Sequence, residues 1–188
     1  MKNYVVSTIF VGGGTPTWLN EEKMAEIFDA ITTYFQVSNE AEITLECNPG
    51  TVTPAKLNLY KKIGVNRLSI GLQSADDTEL QLLGRIHTFE KFLKTYEMAR
   101  NAGFKNINVD LMSGLPGQDL ESYKESLEKV LNLTPPPEHI SAYSLIVEEG
   151  TPFYEEYEQG CLKLPEEEIE REMYHLTKSY LMKNGYER

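Results

Sequence analysis

Cysteine is scarce in this 188-residue chain: Cys47 and Cys161 are the only two, and they lie far apart. Such a pair supports no disulfide framework. No apolar stretch approaches the roughly 20 residues a helix needs to cross a bilayer, and no charged-then-apolar leader opens the sequence. Positive charge is the minority sign, with 18 Lys and Arg against 29 Asp and Glu and a net charge of −11. Attraction to nucleic-acid phosphates or anionic lipid is therefore not expected. Histidine is rare as well, and His87, His139 and His175 show no mutual spacing that suggests a metal site. Taken together, these absences favour a cytoplasmic protein with no nucleic-acid partner and no transmembrane segment.

The hydrophobic share of 40% leaves enough apolar material for one well-buried domain at this length. The acidic runs Glu148-Glu149, Glu155-Glu156 and Glu166-Glu167-Glu168 read as solvated faces. Strand and helix signals alternate along the chain. Val5–Phe10 reads as a strand. Asn20 is an N-cap for a helix marked by Met24, Ile27, Phe28, Ile31 and Phe35. Glu42–Cys47 is a strand, and Thr53-Pro54 opens a helix through Leu57 and Tyr60 that stops at Gly64. Arg67–Gln73 is the third strand, followed by a short helix over about Asp76–Leu83 and a longer one ending at Gly103. Asn106–Leu111 is the fourth strand, and Tyr123, Leu127 and Leu131 mark a helix closed by three prolines. Ile140–Leu145 is the fifth strand, and a helix over about Pro165–Lys183 is the last.

Five strands alternating with helices imply a parallel sheet with right-handed crossovers. Alternation alone does not choose between an open sheet and a barrel. The polar residues favour the barrel, because Gly12 to Thr15, Glu46, Asn48, Gln73, Asp110, Tyr143 and Ser144 fall at or near the C-terminal ends of successive strands. Among them Gly12-Gly13-Gly14-Thr15 ends an apolar strand. Successive glycines leave backbone N–H and C=O groups open to a polar ligand, although the same glycines would also serve a tight turn. At the chain ends, the repeating pattern of helix, glycine, apolar residue and strand begins again at Gly185-Tyr186 and stops at Arg188. The expectation is a piece of a longer protein, cut at both ends.

With these positions in hand, the sequence resembles the radical S-adenosylmethionine (SAM) superfamily, and within it the group of HemW-type haem chaperones and oxygen-independent coproporphyrinogen III oxidases. The likeness rests on Phe10–Thr17, Glu46-Cys47-Asn48-Pro49, Arg67–Ser74, Leu83-Gly84-Arg85-Ile86-His87 and Asn108–Gly117, in that order. It implies an α/β fold, a partial (β/α)6 TIM-like barrel with about five parallel strands present. The chain would then be an incomplete core domain over 1–188, without its first βα unit and its C-terminal domain. The resemblance also implies SAM as cofactor. Gly13, Gly14 and Thr15 would meet the methionine part through backbone groups, and Glu46 would accept from SAM's polar groups. Gln73 and Asp110 would bind ribose hydroxyls, and Arg85 would pair with the carboxylate, for which a guanidinium is the best fork. The stretch Tyr143–Ile146 would pack on the adenine.

The family carries a Cys-x3-Cys-x2-Cys motif whose thiolates hold a [4Fe–4S] cluster, and this sequence lacks it. Cys47 follows Glu46 directly, so strand alternation turns it to the opposite face as a buried small hydrophobe. The cluster is therefore expected on the missing front unit. No catalytic residue and no metal ligand is assigned on this chain, which alone would be catalytically inactive. The segments Leu83–His87 and Ser144–Pro152 are more similar to the chaperone branch than to the oxidases, which typically carry Asn-Arg-Glu-Gln around the arginine. Haem or another porphyrin and a haem-acceptor protein are the implied partners.

Overall fold

The computed structural model describes residues 4–188. Five strands, β1 (Val5–Val11), β2 (Gln36–Cys47), β3 (Arg67–Gln73), β4 (Ile107–Ser113) and β5 (His139–Ser144), form one sheet in chain order. Strand β1 pairs with β2, and β2 with β3, in parallel. The connections carry helices α1 (Glu21–Tyr34), α2 (Pro54–Lys62), α3 (Asp77–Leu82), α4 (Phe89–Asn101) and α5 (Leu120–Leu131); α6 (Pro152–Glu158) and α7 (Glu167–Lys183) follow β5. No helix among the described residues is long and apolar enough to cross a membrane.

By its internal contacts the chain divides into two compact units, Met1–Gly71 with Glu90–Val109, and Leu72–Phe89 with Asp110–Arg188. In the first, the helix starts anticipated from sequence are made by the expected chemistry. The Asn20 side chain accepts the Lys23 N–H at 2.9 Å, and the Thr53 hydroxyl accepts that of Lys56 at 3.2 Å. Behind these caps Met24, Phe28, Leu57 and Tyr60 are buried. Phe35, expected inside α1, is instead its exposed C-cap.

Strand β2 runs six residues further toward the N-terminus than the Glu42–Cys47 strand read from sequence. The added part is polar and pairs only with the start of β1. Val6 faces Val37 but Thr8 faces Glu42, so the chain bulges between the two pairings. Asn66 then ties the far side of β2, its Oδ1 accepting the Ile43 N–H at 2.8 Å and its Nδ2 donating to the Ala41 carbonyl at 2.7 Å.

In the second unit α5 buries Tyr123, Leu127 and Val130 at helical spacing. Helix α7 packs against α5, with the Tyr123 and Thr177 hydroxyls 2.7 Å apart and the Tyr180 hydroxyl donating to Glu128 at 2.7 Å. Helix α6 was not anticipated. It buries no residue, so it lacks the apolar stripe that reveals a helix in sequence.

Candidate functional site

In the first unit the organising contact lies at the end of β1. The carboxylate of Glu46, on β2, rests directly on Gly12: a Cβ built there would stand 2.8 Å from Glu46 Cδ and 2.8 Å from its Oε2. From that seat Oε2 accepts the N–H of Gly13 at 3.1 Å. Gly13 and Gly14 then turn with φ of 89° and 61°, where a side chain is strained, and open space surrounds both Cβ positions. The backbone at these two residues is therefore reachable, as the glycine run implied.

The next residues lock this turn to the loop after β2. Asn48 Nδ2 donates to Thr15 Oγ1 at 2.7 Å, and the hydroxyls of Thr17 and Thr51 meet at 2.6 Å. Lys56 Nζ donates to the Thr17 carbonyl at 2.8 Å. Gly13, Gly14, Thr15 and Glu46 are thus brought together. Asn48 and Gly12 complete the arrangement, and both were visible as part of the motifs without being assigned a role.

Cys47 turns to the opposite side from Glu46 and is 1% exposed. Burial pushes its thiol up to about 12, and the Thr17 and Thr51 hydroxyls and the Lys56 ammonium draw it back only in part. A thiolate, the form that binds iron, is strongly disfavoured there. Cys161 is exposed, and His139 and His175 are exposed on separate elements. His87 is buried with Nε2 3.2 Å from the Leu72 carbonyl, a structural contact. No group of three His, Cys, Asp or Glu among the described residues could hold a metal. An iron–sulfur cluster has no seat on them.

In the second unit Gln73 closes β3 with φ of 73°, the only non-glycine residue among those described with positive φ. For a residue with a side chain this backbone state costs on the order of 1–3 kcal/mol, and such strain gathers at functional positions. Gln73 is buried, and its Oε1 accepts the Tyr143 hydroxyl at 2.9 Å. Tyr143 is 45% exposed and Ile146, two residues past β5, is 75% exposed. Arg85 follows Gly84 in the connection between α3 and α4, half-buried, and its guanidinium has no ion pair among the described residues. Asp110 is the fourth of the seven residues of β4, half-buried. It lies further inside the strand than its placement near the C-terminal end implied, because β4 runs on to Ser113.

The family model described as the radical SAM superfamily matches residues 1–130. The chain is 42% identical over 181 residues to the heme chaperone HemW of Bacillus subtilis (strain 168), covering 96% of this chain and 47% of that protein. It is 38% identical over 181 residues to radical S-adenosyl methionine domain-containing protein 1, mitochondrial, of Bos taurus, covering 96% of this chain and 40% of the relative. Among solved structures, coproporphyrinogen III oxidase (HemN) from Escherichia coli, described as a radical SAM enzyme, matches with a TM-score of 0.83 and 30% identity over 97% of this chain and 42% of that one. That likeness bears out the α/β, partial (β/α)6-type fold class. The chain spans about half the length of the curated relatives it matches.

Two outcomes are expected from this geometry. In Gly12→Ala the new methyl group must displace both the end of Glu46 and the Phe10 ring, whose Cε1 stands 2.8 Å from the Cβ position, so stability falls by about 1–3 kcal/mol while the Gly13 amide loses its acceptor. Hydrogen exchange at Gly13 should accelerate with the rest of the protein unchanged. After anaerobic reconstitution with iron and sulfide, the 188-residue chain should carry no stoichiometric cluster by metal and sulfide analysis.

Proposed function

The chain belongs to the radical SAM superfamily, and on that premise we propose that it is the SAM-binding core of a HemW-type haem chaperone, a cytoplasmic protein that binds haem and passes it to an acceptor protein. The observation carrying this reading is the 42% identity to the Bacillus subtilis heme chaperone HemW across 96% of the chain. The segment Leu83–His87 and the run from Ser144 to Pro152 support the same branch.

The residues present suit SAM. Open backbone at Gly13 and Gly14, beside the Thr15 hydroxyl, can hydrogen-bond the methionine moiety of a ligand without a side chain intervening. Glu46 has one oxygen committed to Gly13, and its other oxygen can accept from the ligand's ammonium. A guanidinium without an ion pair at Arg85 suits the ligand's carboxylate. Gln73 and Asp110 are assigned to the ribose hydroxyls, since carboxylate and amide oxygens accept from a diol. Tyr143 to Ile146 are assigned to the adenine. The family's [4Fe–4S] cluster, which supplies one-electron chemistry when bound, does not fit the cysteines of this chain. The reading therefore places its ligands outside residues 1–188, and no step is derived through it. The domain reading is the same: residues 1–188 form an incomplete radical SAM core.

A second reading, oxygen-independent coproporphyrinogen III oxidase, draws on the fold likeness to HemN. Haem titration of the full-length protein beside a coproporphyrinogen turnover assay separates the two. The proposal expects haem uptake without decarboxylation, and turnover would defeat it. On the 188-residue chain, calorimetry should detect SAM binding. Arg85→Ala and Asp110→Asn should each weaken it about 10-fold or more, the loss expected for one charge-assisted hydrogen bond.

A further inference from the structure

Glu79, on α3, takes no part in the SAM site proposed above, yet it is 7% exposed and the donors to its carboxylate are neutral groups. Its Oε2 accepts the Ser74 hydroxyl at 2.5 Å and Gln118 Nε2 at 2.9 Å, and its Oε1 accepts the Ser122 hydroxyl at 3.2 Å. No ion pair reaches it among the described residues. A carboxylate withdrawn from water without a cation is an expensive way to fill a core. What it does for that expense lies one residue away from Gln73.

Ser74 follows Gln73 directly. Its Oγ donates to Glu79 and accepts the N–H of Asp76 at 2.9 Å, and Asp76 in turn caps α3 through the amides of Thr78 and Glu79. The intervening Ala75 is held on both sides, its N–H by Ser126 Oγ at 3.1 Å and its carbonyl by Lys129 Nζ at 3.1 Å. Through Gln118 and Ser122, Glu79 also grips the loop after β4 and the start of α5. The turn that carries the strained residue is therefore fastened from every side, and its first fastening is the Ser74 contact to Glu79. The carboxylate can accept from all three donors at once. A neutral side chain of the same shape would present a donor to one of them.

We infer that Glu79 is the positioning residue for Gln73: through Ser74 it holds Gln73 in the left-handed backbone state that keeps its side chain against Tyr143 and available to a ribose. This inference rests on the SAM reading above for the ligand, but its structural half does not. Gln73 is held by geometry that can be observed without any ligand.

The test uses isotope-labelled 188-residue protein. In the wild type, Gln73 should show the strong intraresidue amide-to-α-proton Overhauser effect of a positive φ. Ser74→Ala, which removes only the bridging hydroxyl, should lose that signature while the other amides stay dispersed, and SAM affinity should fall about 10-fold. Glu79→Ala should do the same where it folds. Glu79→Gln, which keeps an oxygen for Ser74, should retain the signature and bind SAM within about threefold of wild type. An unchanged Gln73 signature in folded Ser74→Ala overturns the inference, whatever happens to stability. Should the wild type fail to bind SAM, the reading of the ligand falls, and the Gln73 signature still decides the role of Glu79.

Discussion

A carboxylate laid on bare backbone sets the terms for the first half of this molecule. Glu46 can accept the Gly13 N–H only because Gly12 has no side chain to push it away. Around that one contact lie the turn of the chain leaving β1, the uncovered backbone at Gly13 and Gly14, and the meeting of Thr15 with Asn48. A glycine run that merely turned the chain would not need a carboxylate from the neighbouring strand pressed against it. The contact converts a flexible sequence into a shaped edge, and it does so with main-chain atoms, which a polar ligand can address directly.

The second unit solves a similar problem by another device. There the residue at the strand end keeps a side chain, Gln73, in a backbone state that favours glycine. Holding it there takes a buried network, with Glu79 at its centre and Ser74, Gln118 and Ser122 around it. In the first unit conformational freedom is granted by glycine and then removed by Glu46. In the second, strain is imposed and then sustained by hydrogen bonds. Both leave a polar group positioned at the end of a strand, where a parallel α/β fold gathers its chemistry.

Much of this was legible in the sequence, for physical reasons. Asn20 and Thr53 cap helices because short polar side chains reach orphan amides, and that signal is local. The apolar strands follow from short apolar runs bounded by turn residues, as β3 and β4 buried along most of their length bear out, and Cys47's turn away from Glu46 follows from period-two alternation. What stayed hidden depends on contacts distant in sequence or on surfaces without a pattern. The first half of β2 is polar and pairs through an irregular register, so no alternation marks it. Helix α6 buries nothing, although Thr151-Pro152 carries the same start signal as Thr53-Pro54 and could have been read. Glu79 lies in the short helix after β3, to which the sequence assigns no role, and only the partners from the loops after β3 and β4 and from α5 show that it is inside. Asp110 reads as near a strand end because the apolar run stops at Leu111 and nothing in Met112-Ser113 announces that the strand continues.

The proposal on which the rest turns is that residues at the strand ends of this chain bind SAM. Amide and side-chain spectra of the labelled protein, recorded as SAM is added, test it most directly. The account predicts saturable shifts at Gly13, Gly14, Thr15, Glu46, Gln73, Arg85 and Asp110, with α6 and the outer face of α7 silent. Saturable shifts confined to other residues, or none at all, would contradict it.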